Sequence, residues 1–126
     1  MKEIWPEGWE TAGHYVPGMA CGGILHISGQ LPVDHATGRM PEGAEAQVRQ
    51  ALANVDAVLQ AAGTDRRAVV SCRVYIPDMS LWDEVDRIYK EFFGSHRPAR
   101  AVVPTKELHY GALVEIEAAA VLEVEK

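Results

Sequence analysis

Several of the residues and patterns that most directly announce chemistry are scarce or missing in this chain. Among its 126 residues there are two cysteines, Cys21 and Cys72, far apart and in neither CxxC nor CxxxC spacing, so they read as free thiols. Cys72 alternates with Val70, Val74 and Ile76 and reads as core filling. The five histidines, at 14, 26, 35, 96 and 109, form no HxH or HExxH arrangement and give no reason to propose a metal site. There is no GxGxxG or Walker-type loop, and Gly22-Gly23 reads more simply as a turn before a strand. Basic residues are outnumbered, 12 against 18 acidic, for a net charge of −6. That balance argues against general affinity for a nucleic-acid backbone, which is driven by cations neutralising phosphates. No apolar run approaches a membrane span, and the opening MKEIWPEGWETAG lacks the apolar core of a secretory signal. The expected compartment is the cytoplasm.

What is present is ordinary globular material, 48% hydrophobic and 24% charged. The length suits one domain with a real core, taken here as residues 1–126. Residues 1–14 show no sustained period and read as an irregular or short extended arm. Tyr15 to Met19 reads as the end of a first strand closed by a Pro-Gly turn, and Ile24 to Gln30 as a strand with Gly29 at a bulge or close-approach point. Asp34 to Gly43 is rich in turn residues. From Glu45 to Ala62, Val48, Leu52, Val55, Leu59 and Ala62 form one apolar stripe, with Gln47, Arg49, Gln50, Asn54 and Asp56 on the wet side and Gly63 as the stop.

Val69 to Ile76 alternates and is rich in β-branched residues, which predicts a strand. Ser80 suits the N-cap of a second helix, with Trp82, Val85, Tyr89 and Phe92 as its apolar stripe and Gly94 as its end. Arg100 to Val103 reads as a short strand that Pro104 places at an edge, 105–110 as a loop, and Leu113 to Val124 as the closing strand. The order is β-β-α-β-α-β-β, an α+β arrangement with two helices on one face of a single sheet. The other face keeps apolar side chains that nothing left in the chain covers, and self-association is the natural remedy.

The stretch His96 to Val121 concentrates the functional signal. Arg100 opens an apolar run, and Glu117 sits in a β-patterned segment whose alternate face passes from Glu115 and Glu117 to Ala119 and Val121. A carboxylate at that wet-to-covered transition needs a partner or a bound water, or its pKa rises. The plain alternative is that both glutamates are solvated strand charges and Arg100 a surface residue with a buried stem.

A set of fragments in consistent order, from about Tyr15 to Val121, resembles the RidA/YjgF/YER057c/UK114 family, also called the endoribonuclease L-PSP family. They are Ile27-Ser28-Gly29-Gln30-Leu31-Pro32 with Thr37-Gly38, then Gln47 and Asn54-Val55 on a helix ending Ala61-Ala62-Gly63. Tyr89 with Phe92-Phe93, Arg97-Pro98-Ala99-Arg100 and Val114-Glu115-Ile116-Glu117-Ala118 complete the set. The resemblance implies a chorismate-mutase-like fold and a homotrimer with sites in clefts between subunits. It also implies cofactor-free and metal-free hydrolysis of reactive enamines and imines, such as 2-aminoacrylate, to 2-oxo acids and ammonia.

By the same resemblance Arg100 takes the substrate carboxylate, with the paired hydrogen bonds a guanidinium allows, and Glu117 positions or activates water. Tyr15 lines the pocket, Ser28 and Gly29 border it, and the Val102 carbonyl faces the substrate nitrogen. On their own residues Tyr15 reads as a core aromatic, Ser28-Gly29 as a bulge without chemical duty, and Asp86 as a solvated position. Trp5 and Trp9 either fill a neighbouring subunit's groove or cover the sheet edge.

The chain departs from the family pattern at three places. GPYS is replaced by Gly13-His14-Tyr15-Val16, the usual cysteine or threonine by Val102, and the usual asparagine by Asp86. These point to another substrate range, bulkier or less polar, or to a slower enzyme. They also keep open a non-catalytic, carboxylate-binding regulatory trimer. The endoribonuclease or translation-inhibitor activity attached to some relatives is disfavoured by the acidic charge, and an aminomuconate-type deamination is a further specialised alternative.

Overall fold

The computed structural model describes residues 1–123, in which six strands form one mixed sheet under two helices. The strands are β1 (Lys2–Ile4), β2 (Gly18–Cys21), β3 (Ile24–Gln30), β4 (Val69–Ile76), β5 (Ala99–Pro104) and β6 (Glu115–Val121). The helices are α1 (Ala44–Ala61), between β3 and β4, and α2 (Trp82–Phe93), between β4 and β5. Sheet order is β1-β2-β3-β6-β4-β5, with β4 and β5 parallel and every other pair antiparallel. The fold is the chorismate-mutase-like α+β architecture, with one short N-terminal strand added to the expected order. Among the described residues no helix is long and apolar enough to cross a membrane.

Both helices lie on one face, where α1 contributes Leu52, Val55, Val58 and Leu59 and α2 contributes Val85, Ile88, Tyr89 and Phe93. The sheet answers with Leu25, Ile27, Cys72, Val74, Ile116, Ala118 and Ala120. Each fully buried leucine in that layer contributes about 2 kcal/mol through removal of apolar surface from water. The Cys72 thiol is buried and its pKa is pushed up by desolvation, as suits core filling rather than reactivity.

Several local details differ from the expectations of the sequence. Pro17-Gly18 opens β2 instead of closing an earlier strand, because proline cannot donate to the ladder, whereas its carbonyl accepts from Ser28 N at 2.9 Å. The Gly22-Gly23 turn, with φ of 60° and 80°, then joins β2 to β3. Gln47 and Asn54 are buried, not wet. Asn54 Nδ2 donates to the Leu31 and Val33 carbonyls at 3.0 and 2.8 Å, and Gln47 donates to Pro41 O and accepts from Leu113 N. Loops packed on α1 therefore supply what water would have supplied.

Ser80 is not the cap of α2. It lies in a 3-10 turn, Met79–Leu81, which Asp78 caps by accepting from Ser80 N at 2.8 Å, and α2 follows with Leu81 at its N-cap and no side-chain cap. Phe93 rather than Phe92 is buried on α2, while Phe92 lies under the Arg66 guanidinium at 4.0 Å. A bulge between Val69 and Ser71 leaves Val70 exposed and gives its expected core place to Val69. The last two residues of the expected 105–110 loop begin a 3-10 turn, His109–Gly111, and the closing strand is shorter than read; Val124 lies outside the described residues.

Candidate active site

Arg100 and the Ser28-Gly29 segment are separated by the sheet itself. Between β3 and β5 stand β6 and β4, so their backbones lie three strand spacings apart, about 14 Å. Arg100 is in register with buried Cys72 and points to the helix side, whereas Glu115 and Glu117 alternate with buried Ile116 and Ala118 and point to the helix-free side. A single chain therefore holds two clusters of candidate residues and does not bring them together.

The first cluster is built on β5 and α2. Arg100 Nη1 donates to Asp86 Oδ1 at 2.8 Å, and its guanidinium lies 4.8 Å from the Tyr89 ring and 5.6 Å from that of Trp82. The arginine side chain keeps 21% of its surface exposed, enough to present its remaining donors to the groove it shares with Lys90, Arg97 and Pro98. Beneath it the Tyr89 hydroxyl is buried beside the Cys72 thiol, and burial pushes its pKa well up. Val102 is paired with Val74 and packs its side chain against the core, so only its backbone is available for polar contact.

The second cluster is built on the bulge of β3. The register shifts between Ile27 and Gln30, as expected of a glycine in this strand. A Cβ on Gly29 would collide with Glu115 Oε2, so the absence of a side chain is what lets that carboxylate lie over the backbone. Ser28 Oγ donates to Val16 O at 2.6 Å, tethering the segment that carries Tyr15. Tyr15 is half exposed and lines, with Gly29, a cavity of about 260 Å³.

Of the two glutamates of β6, it is Glu115 that sits beside Gly29. Burial pushes its pKa up, the neighbouring Glu117 charge adds to this, and His109 opposes it. Glu117 instead accepts a hydrogen bond from the Tyr75 hydroxyl and lies 3.7 Å from Arg73, an ordinary cross-strand arrangement on an open face. Both residues satisfy the same alternation, and the preference for Glu115 depends on where the bulge falls. Trp9, expected in a neighbouring subunit's groove or over the sheet edge, instead stacks on His35 at 3.6 Å on the wall of the Tyr15 cavity, a pairing of distant residues with no signal in the sequence. Among the described residues no three His, Cys, Asp or Glu side chains are grouped to hold a metal ion.

The family model described as Endoribonuclease L-PSP matches residues 7–122. The chain belongs to the RidA/YjgF family. This RidA/YjgF chain is 40% identical over 124 residues to a RutC family protein of Aquifex aeolicus, covering 96% of this chain and 99% of that protein. It is 39% identical over 112 residues to the 2-iminobutanoate/2-iminopropanoate deaminase of Salmonella typhimurium, covering 86% and 88%. Its fold superposes on that of Escherichia coli TdcF with bound serine at a TM-score of 0.92 and 33% identity, covering 98% of this chain and all of the other.

Proposed function

We propose that this RidA/YjgF chain hydrolyses 2-imino acids, and the enamines in equilibrium with them, to 2-oxo acids and ammonia at sites assembled between neighbouring copies of a homotrimer. The observation that carries this reading is the separation of the Arg100 cluster from the Gly29-Glu115 cluster on opposite faces of one sheet. Each half lacks what the other holds. A cyclic assembly that sets the helix side of β5 in one copy against the bulge of β3 in the next completes both. The relative named as an imine deaminase and the neighbour with bound serine support a small ligand carrying a carboxylate next to nitrogen.

In this reading Arg100 takes the carboxylate through the guanidinium donors that Asp86 leaves free, orienting the C=N bond. Glu115, rather than Glu117, serves as acid and base, because its carboxyl lies over the bare backbone of Gly29 and burial there makes it hold its proton to higher pH than an ordinary glutamate. It takes a proton from water as the oxygen attacks the imino carbon and delivers that proton to the nitrogen, giving the carbinolamine. Glu115 then takes the carbinolamine hydroxyl proton and passes it to the departing nitrogen as the C–N bond breaks, so the C=O forms, ammonia leaves and the carboxylate is restored. The Val102 carbonyl faces the nitrogen, and Tyr15 closes the pocket over the substrate. The net charge of −6 weighs against the RNA-cleaving alternative suggested by the family description.

The test generates imines in situ from a panel of amino acids with an amino-acid oxidase and follows ammonia and 2-oxo-acid release. Acceleration that is lost in Arg100→Ala and falls about a hundredfold or more in Glu115→Gln supports the assignment. Saturable binding of 2-oxo acids with no acceleration on any imine would instead identify a carboxylate-binding regulatory protein. The ion pair that already occupies Arg100 is the observation favouring that second reading.

A further inference from the structure

The cavity beside Gly29 is larger and more aromatic than a methyl or ethyl side chain requires. Its walls are Trp9, Tyr15, Leu31, Val33, His35 and Tyr110, and its volume is about 260 Å³. Trp9 and His35 form a flat shelf, with ring centroids 3.6 Å apart and planes 10° from parallel. Burial lowers the His35 pKa against the opposing pull of Asp34, so at neutral pH the shelf is uncharged. Glu10 is the only Asp, Glu, Lys or Arg among the described lining residues. A pocket of this make-up recognises its occupant by burying apolar and aromatic surface, and it repels a second carboxylate. Its floor is continuous with Gly29, over which the Glu115 carboxylate lies. A substrate with its imino carbon at Glu115 can extend its side chain past Gly29 into this cavity.

We infer that the Trp9–His35 shelf and the cavity around it form a side-chain subsite that selects 2-imino acids bearing aromatic or large aliphatic groups over those derived from alanine or from acidic amino acids. The inference rests on the deaminase reading for its reaction, but the shelf itself is made of Trp9 and His35, which the proposed chemistry does not use. Trp9 and His35 are 26 positions apart in sequence and meet only because the N-terminal arm folds across the loop after β3.

The experiment compares kcat/KM for imines generated from phenylalanine, leucine, alanine and glutamate in the wild-type protein, Trp9→Ala, Trp9→Phe and His35→Ala. The wild type is expected to favour the phenylalanine-derived imine over the alanine-derived one. Trp9→Ala should reduce that ratio at least tenfold, and Trp9→Phe should restore most of it. His35→Ala removes the other half of the shelf and serves if Trp9→Ala does not fold. Equal use of both imines, or a ratio indifferent to both shelf variants, overturns the subsite while leaving the deaminase reading intact. If no imine is accelerated, that reading fails, and calorimetric binding of phenylpyruvate and pyruvate decides the subsite alone. Preference for phenylpyruvate that is lost in the shelf variants supports it; no preference overturns it.

Discussion

Arg100 donates to Asp86 at 2.8 Å while its guanidinium rests over the Tyr89 ring, so the cation proposed to bind substrate already holds an anion of its own chain. An incoming carboxylate has to share the guanidinium with Asp86 and approach a second negative charge. Asparagine, common in the family at this position, would keep the hydrogen bond without the charge.

Asp86→Asn is therefore expected to lower KM for small imino acids several-fold with little change in kcat. The pair is partly exposed and contributes under about 1 kcal/mol, so chemical denaturation should hardly move. Steady-state kinetics with imines formed in situ would check this, and a raised KM would show that Asp86 instead holds Arg100 in its working position.

The pH dependence of activity should report Glu115. Burial first, and the adjacent Glu117 charge second, raise its carboxyl above the ordinary value of about 4.3, and a raised pKa means that the proton is held to higher pH. If the ionised form starts the reaction, kcat/KM rises with pH along a limb displaced upward from that ordinary value. Glu117→Gln removes one of the charges responsible, so the limb should move to lower pH, while Glu115→Gln should abolish it.

Subunit mixing tests whether the site is shared. Arg100→Ala and Glu115→Gln should each be inactive alone. When the two are unfolded together and refolded at equal concentration, about one quarter of the sites in randomly assembled rings regain both residues. Recovery of activity to roughly that fraction supports a site between copies, and no recovery from refolded mixed rings overturns the pairing of Arg100 with Glu115 in one site.

Asn54 should matter for stability without touching the chemistry. Its buried amide satisfies two loop carbonyls, and Asn54→Ala leaves both without their donor, for a loss of about 2 kcal/mol. Urea denaturation at one fixed protein concentration, which holds constant any contribution from association, would measure it.

His35 adds a smaller, signed contribution. Its pKa is lower in the folded state than in the unfolded chain, chiefly through burial. The associated stability is present above the unfolded value of about 6.5 and is lost as the pH falls through the folded one. His35→Phe should flatten that part of the stability profile in thermal melts between neutral and mildly acidic pH.

Local pattern was enough to read the elements that carry the fold. Ile24–Gln30 and Val69–Ile76 match the observed strands residue for residue, because short runs rich in apolar and β-branched residues and bounded by turn residues record strands with a covered face. Gly29 was legible as a bulge, since a glycine inside such a run forgoes side-chain packing and needs a reason to be there. The residues resembling the RidA/YjgF family were sufficient to place the chain in it. Polarity misread Gln47 and Asn54, because a polar side chain on a helix looks solvated until loops distant in sequence arrive with carbonyls and an amide to satisfy it. The choice between Glu115 and Glu117 was not available either. They share one face of β6, and only the register of the β3 bulge decides which carboxylate meets the bare backbone at Gly29. The sequence by itself determined the elements, their order and the residue types able to bind a carboxylate and move a proton, since these follow from periodicity and side-chain chemistry. Tertiary structure alone decided that Arg100 faces the helices while Glu115 faces away, because strand order and register are set by pairings between residues far apart in the chain.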